Sequence, residues 1–275
     1  MISLRNLGVA LACLILLTRP ALATPSTTFW TPAVMDIQPY GVLHIGVDNY
    51  FTVFMTAKGG ASTFPADTGL TMGVLPLKKL QMELGIDLLE PSDYPVYFNA
   101  KIGTPEDALF KWCPGLSVGV FNVGAQKDLT DMNIVYGVIG KTIPKIGRIH
   151  VGPYYGNRNA KAFFTDDAGN DDLGVMVGFD RGFLPAKDKD GNEFNRLVIA
   201  GDYASGKNAL GGGGAGLYYY FTRDISLLTG PVWFNDEGLN GKWKWTVQLD
   251  INADLHLPQK KPGKTVDEMP RARTS

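Results

Sequence analysis

Trp243-Lys244-Trp245-Thr246-Val247-Gln248-Leu249-Asp250-Ile251-Asn252 alternates without a break. Trp243, Trp245, Val247, Leu249 and Ile251 make one row, and Lys244, Thr246, Gln248, Asp250 and Asn252 make the other. In a β-strand these rows face opposite sides, so one side is apolar and the other tolerates charge. Two environments meet that demand. One is a half-buried strand of a soluble protein. The other is a membrane strand with lipid on its apolar face and a polar lumen on the other.

The same period-two pattern recurs upstream. Leu80, Met82, Leu84, Ile86 and Leu88 are apolar, while Glu83 and Asp87 fall on the opposite face. In Val96–Ile102, Tyr97, Asn99 and Lys101 share the polar face, and in Ala215–Phe221, Leu217, Tyr219 and Phe221 share one face. Twelve such segments are read, at about 41–54, 68–75, 79–90, 95–103, 115–124, 131–141, 147–157, 172–181, 195–205, 212–222, 224–234 and 242–252. Most have the length of a tilted bilayer-spanning strand, about 9–11 residues. No stretch between them keeps a helical period over three turns. Pro153 interrupts one segment and calls for a bulge beside Gly152 or an early strand end.

The connections differ in character. Lys58–Gly69, Gly124–Asp131, Asn157–Asp172, Ser205–Gly213 and Asn235–Lys242 are polar and mostly long. Those at 75–78, 142–146 and 222–224 are short, whereas Thr104–Pro114 and Phe183–Asn195 are long exceptions. Glycine is frequent, 33 of 275 residues, and has no collagen-like period. Its positions within apolar segments and at their ends suit a crowded wall with many turns.

The first residues read as a secretion signal over 1–23. Arg5 opens it, Leu7–Leu17 is apolar, and Ala21-Leu22-Ala23 follows Pro20 as a small-residue cleavage site. That apolar run is too short for a membrane helix, and no later segment reaches the required length of about 20 residues. Without Arg5 and Arg19 the 26 basic residues fall to 24 against 27 acidic ones, a net charge of about −3. Such a balance recruits no nucleic acid. Cys113 remains as the single mature cysteine, so no internal disulfide forms. The expected organisation is a signal peptide over 1–23, an irregular periplasmic segment over 24–40, a barrel over 41–252 and a disordered polar tail over 253–275.

Together these features resemble the Gram-negative outer-membrane β-barrel class. Tyr40, Tyr50, Phe51, Tyr155, Tyr203, Phe221, Trp233, Phe234, Trp243 and Trp245 are the aromatic residues available for interfacial girdles. The resemblance implies an all-β, antiparallel up-and-down transmembrane β-barrel of about twelve strands, in contact with outer-membrane lipid and the barrel-assembly machinery. One departure stands out. Such barrels commonly end on an aromatic residue, whereas here Asn252 is followed by a tail containing Lys260, Lys261 and Pro262.

Enzymatic chemistry finds little footing. The outer-membrane phospholipase family uses a His-x-Ser pair with an Asn; here His44 precedes Ile45-Gly46 and His150 precedes Val151-Gly152. Gly211-Gly212-Gly213-Gly214 lacks the Gly-Lys-Ser/Thr of a phosphate loop. Asp188–Glu193 lacks the later bidentate Glu of a calcium loop and reads as a turn. The positive signal is the charged row. By parity, His44, Asp48, Glu83, Asp87, Lys101, Lys141, Asp180, Asp202, Lys244 and Asp250 face away from the apolar side. They are the candidate lumen and selectivity residues of a porin-like passive channel for small solutes, with no cofactor, no metal and no catalysis. A barrel with a closed lumen serving a structural or surface role is the second expectation. A soluble periplasmic barrel that binds a ligand is the third.

Overall fold

Alternation of period two becomes twelve strands in the computed structural model, which describes residues 27–53, 66–90, 92–164 and 171–258. They are β1 (Val42–Phe51), β2 (Ala66–Gly73), β3 (Gln81–Glu90), β4 (Val96–Thr104), β5 (Gly115–Val123), β6 (Ile134–Ile143), β7 (Gly147–Tyr155), β8 (Leu173–Lys187), β9 (Glu193–Ala204), β10 (Gly212–Tyr220), β11 (Ile225–Phe234) and β12 (Lys244–Asp254). Two short helices, α1 (Lys161–Phe164) and α2 (Glu237–Asn240), sit in connections. The expected secretion signal and most of the expected tail lie outside the described residues.

Each strand pairs antiparallel with its neighbours in sequence, and β1 pairs with β12 from Val42↔Asp254 to Phe51↔Trp245. The barrel is therefore closed, and no strand edge is left with unpaired backbone groups. The last strand that alternates so cleanly in sequence is the one that seals it.

The wall has two faces. Its outer face shows Leu70, Leu84, Ile86, Phe98, Val118, Ile139, Val151, Val177 and Leu217 to the surroundings. So much contiguous exposed apolar surface matches a lipid-facing band and not a soluble protein's surface. The short connections 144–146, 188–192 and 221–224 share one end with the start of β1 and the end of β12, while 124–133, 156–172, 205–211 and 235–243 lie at the other. Most short turns mark the periplasmic end and most long loops the outer end, with 105–114 a long periplasmic exception and the β3–β4 connection a short outer one.

Inside, the two halves of the wall differ. β1–β4 and β12 turn polar residues inward, among them His44, Glu83, Lys101 and Asp250. β6–β11 turn in large apolar ones, including Ile134, Tyr136, Tyr154, Met176, Val198, Tyr218 and Leu228, all buried, interrupted by Arg148 and His150 on β7, Asp180 on β8 and Asp202 on β9. Residues 27–40 run through this interior from the outer half to the periplasmic end, where Tyr40 bridges Gly73. Ala33 and Met35 pack with the β6–β8 cluster, and Phe29 packs with the β9–β11 cluster. The segment read from sequence as irregular and periplasmic is irregular, and from residue 27 it lies within the lumen as a strap.

Inward glycines seat the strap. A Cβ at Gly178 would overlap the Ala33 carbonyl, one at Gly214 would lie 2.6 Å from the Phe29 Cβ, and one at Gly140 would lie 2.7 Å from the Met35 sulfur. The high glycine content is thus in part a groove. Another glycine serves the wall itself. β7 runs through Pro153 without the expected bulge or early end, paired continuously to β8 from Arg148↔Asp180 to Tyr155↔Leu173. Toward β6 the register is unbroken but pairing lapses opposite Gly152 and Pro153, where a Cβ on Gly152 would overlap the Gly137 carbonyl. The proline, which has no N–H to give, sits where the ladder toward β6 lapses. The register shift of this wall lies instead between β4 and β5, at Phe98 and Ala100. Gly152→Val should therefore destabilise the barrel by about 1–3 kcal/mol through overpacking. The measurement is the urea midpoint of the heat-modifiable band on gels, and an unchanged midpoint would refute the close approach.

Candidate functional site: a strapped lumen and its outer chamber

Asp202, inward on β9, holds the upper strap. Its Oδ2 accepts the N–H groups of Phe29, Trp30 and Thr31 at 2.9, 2.9 and 2.8 Å, while Oδ1 accepts from Gly214 N at 3.1 Å. Three successive N–H groups converge on one carboxylate oxygen, as in a backbone nest around an anion. Trp30 adds a hydrogen bond from Nε1 to the Leu210 carbonyl at 2.8 Å. Its ring meets Phe234 and Tyr50 edge-on, with centroids 4.9 and 5.9 Å away. Tyr50 and Phe234 thus leave the list of girdle candidates, because both turn into the lumen.

Lower down, charges carry the strap. Arg148 donates from Nη1 to Asp36 Oδ1 at 2.8 Å and from Nε to Asp180 Oδ1 at 2.9 Å. His150 Nε2 lies 3.0 Å from Asp180 Oδ2, and its Nδ1 faces the Met35 N–H at 3.4 Å. That arrangement has Nδ1 accepting and Nε2 donating. Lys101 Nζ lies 3.3 Å from Glu83 Oε1 and donates to the Asp36 carbonyl at 3.0 Å. Glu83 Oε2 accepts from Gln38 N at 2.6 Å. Gln38 Nε2 donates to Asn252 Oδ1 at 2.9 Å, which also lies 3.0 Å from His44 Nδ1. Each strap residue from Met35 to Gln38 that bears a polar contact meets a wall residue buried in the lumen. Unpaired, any of these buried ions would cost several kcal/mol, so strap and wall require one another.

Nine of the ten sequence candidates sit on the inward rows: His44, Asp48, Glu83, Asp87, Lys101, Asp180, Asp202, Lys244 and Asp250. Lys101, Glu83 and Asp180 join the strap network; Asp202 forms the nest; Lys244 Nζ reaches Thr52 at the outer end, 3.3 Å away. Lys141 is the correction. On β6 the inward row is Ile134, Tyr136 and Val138, which puts Lys141 on the outward row at the periplasmic rim. There it pairs with Glu106 at 3.1 Å and Asp107 at 3.5 Å, with the Trp112 ring 5.9 Å away. Both rows of β6 are apolar, so parity had no charge to orient it. Sequence reasoning also missed Arg148, Asp36 and Asp67. Arg148 alternates in register with His150, and this was its available signal.

Above the strap contacts the lumen widens into a chamber of about 290 Å³. Asp48, Asp67, Asp87 and Asp250 line its wall side; Phe29 and Trp30 line its strap side; Phe163, Leu210 and Leu239 come from the outer connections. A much smaller cavity of about 10 Å³ lies beside Glu83, Lys101 and Tyr136. The connections are themselves tied down. A side-chain hydrogen bond from Arg158, 2.7 Å away, holds the Asp172 carboxyl below its usual range. Asn192 does the same for Asp188, whose carboxylate also accepts from the backbone of Asp190 and Asn192. The stretch with a calcium-like spacing uses its first carboxylate to close a turn.

No family model matches the chain, and no curated protein matches it. Solved structures do resemble it. An outer-membrane channel from Pseudomonas putida F1 is 11% identical, with 78% of this chain and 96% of that one covered and a TM-score of 0.42. Outer membrane phospholipase A from Escherichia coli is 12% identical, with 80% and 96% covered and a TM-score of 0.45. The NanC porin is 10% identical, with 77% and 98% covered and a TM-score of 0.43. At these identities the likeness is one of barrel architecture alone. The closed twelve-stranded wall, apolar outside and charged within, has the architecture of a transmembrane β-barrel.

Asp202→Ala removes the acceptor of three strap N–H groups and of Gly214 N, each unsatisfied group costing about 1–3 kcal/mol. Amide exchange at Phe29, Trp30 and Thr31 should rise at least about a hundredfold while ladder amides of β8 and β12 keep their protection. Unchanged exchange at these three would mean that the strap is held without Asp202.

Proposed function

We propose that this barrel is an outer-membrane channel for small solutes whose own N-terminal strap holds its periplasmic half closed. The observation that carries this reading is how the strap is attached. Its ends and middle are held by carboxylates, a guanidinium, an ammonium and an amide of the wall, and not by an apolar core alone. Those wall groups tolerate water as well as they tolerate the strap. Moving the strap aside replaces protein partners with solvent and leaves a charged, wettable passage. An apolar seam would instead leave a dewetted one.

Passage through the open state is passive, and the inward charges bias it by sign. Lys101→Glu is a poor probe of that bias, since it sets a carboxylate against Glu83 and the Asp36 carbonyl. Lys244, at the outer end and away from the strap network, is the better position.

A second reading draws on the same packing. The lower lumen is so filled that a permanently closed barrel, acting through its outer connections, also accounts for it. Planar-bilayer recording of the whole barrel separates the two. Wild type should give rare, small current steps. Asp36→Ala combined with Asp202→Ala should raise the open fraction at least about tenfold, as expected when a closed state loses more than about 1.4 kcal/mol. A folded double variant that stays silent at every potential would overturn the channel and leave the closed barrel.

A further inference from the structure

The outer chamber combines two properties that seldom meet by accident. Its wall is acidic, and its inner side is aromatic. Asp48 on β1 and Asp67 on β2 are directly opposed residues on inward rows. Like charges in that position repel, so the pair works against the strand pairing that holds it. Asp87 stands one strand further on, opposite Gly69, where a Cβ would come within 2.9 Å of its carboxylate. Gly69 keeps room in front of the Asp87 carboxylate.

Partners are unevenly shared among these acids. Asp87 accepts from Asn99, and Asp250 accepts from Ser226 with His44 3.5 Å away. Among the described residues Asp48 and Asp67 have no hydrogen-bond donor and no cation. Asp67 keeps an enclosed Oδ1 with no hydrogen-bond partner, and the charged groups acting on Asp48 are Asp67, Asp250 and Asp87. Across the cavity stand the rings of Trp30 and Phe29, and Tyr50 lies two residues beyond Asp48 on the same inward row.

We propose that this chamber binds a small organic cation, an ammonium carrying apolar substituents, between the Asp48–Asp67 carboxylates and the rings of Trp30 and Tyr50. Charge decides the sign: four carboxylates face the cavity against one imidazole. The rings decide the class. An aromatic face attracts an alkylated ammonium and helps its apolar groups leave water, whereas a strongly hydrated metal ion gains little from it. No three or more His, Cys, Asp or Glu side chains converge for a metal ion among the described residues. Volume sets the size, since about 290 Å³ lies at the small end of ligand cavities. The cation would supply the partner that Asp48 and Asp67 lack among the described residues.

This inference names the solute class for the channel proposed above, but it is tested without current. Choline is titrated calorimetrically into the whole barrel in detergent, beside 3,3-dimethyl-1-butanol, its uncharged counterpart of the same shape. Choline should bind, and the alcohol should bind at least about tenfold more weakly. Asp48→Asn combined with Asp67→Asn should weaken choline by at least about tenfold while the heat-modifiable band shows an intact barrel. Trp30→Leu should weaken choline and leave inorganic potassium ineffective as a competitor. Equal affinity for choline and the alcohol would overturn the proposal. So would unchanged choline affinity in the folded double variant, or no choline binding by folded wild type. A barrel that binds choline yet carries no current keeps the chamber and loses the channel; one that conducts without binding choline does the reverse.

Discussion

Closing a two-faced wall traps one of its faces. The outer face of this barrel can be left to lipid, but its inner row includes charges that neither lipid nor an apolar filling can satisfy. Every other feature of the interior answers that constraint. The strap places backbone N–H groups against Asp202, a carboxylate against Arg148 and a peptide N–H against Glu83. Where the strap passes, the wall is paired. Where it does not, at Asp48 and Asp67, the wall is left with like charges face to face.

Packing and polarity divide the strap's work. Phe29, Ala33 and Met35 lie against the apolar inner faces of β6–β11, in a groove cut by Gly140, Gly178 and Gly214. Asp36 and Gln38 lie where polar side chains from β3, β4, β7 and β12 converge. The sequence of the strap thus follows the asymmetry of the lumen, apolar where the wall is apolar and polar where it is charged. Neither half alone would position it. Apolar contact is tolerant of sliding, whereas the Asp202 nest and the Arg148–Asp36 pair fix the register.

The strands and their closure were legible because alternation over a whole strand has a single geometric meaning. Inward charges followed from the same parity wherever one row carried them, as at Glu83, Asp87 and Lys101. On β6 parity failed, since Tyr136 and Val138 face one way and Val135 and Ile139 the other, and Lys141 was assigned to the wrong side. Asp67 was missed for a smaller reason. A strand start read at residue 68 left it in a connection, although β2 begins at Ala66. The strap was not legible at all. Pro32 and Pro39 forbid a regular element, and an irregular segment carries no period that says which cavity will receive it. Its partners lie far away in sequence, with Asp202 171 to 173 residues beyond the amides it binds.

The two ends of the strap are held differently, and that bears on how strap and chamber interact. At the periplasmic end Tyr40 bridges Gly73, Gly41 turns at a φ of 77°, and its N–H bonds the Gly73 carbonyl at 2.9 Å. The chain there reverses directly into β1, so covalent continuity anchors it. Toward the outer side the described strap is held by the Asp202 nest, by Tyr218 donating to the Thr28 carbonyl, by Gln248 donating to the Phe29 carbonyl at 3.2 Å and by the Trp30 contacts. A displacement on that side moves Phe29 and Trp30, the same residues that form the inner side of the chamber. Any occupant that moves Trp30 acts on the three amides that Asp202 holds. The acidic chamber and the closing strap thus share their decisive side chain, and a coupling between them requires no further moving part.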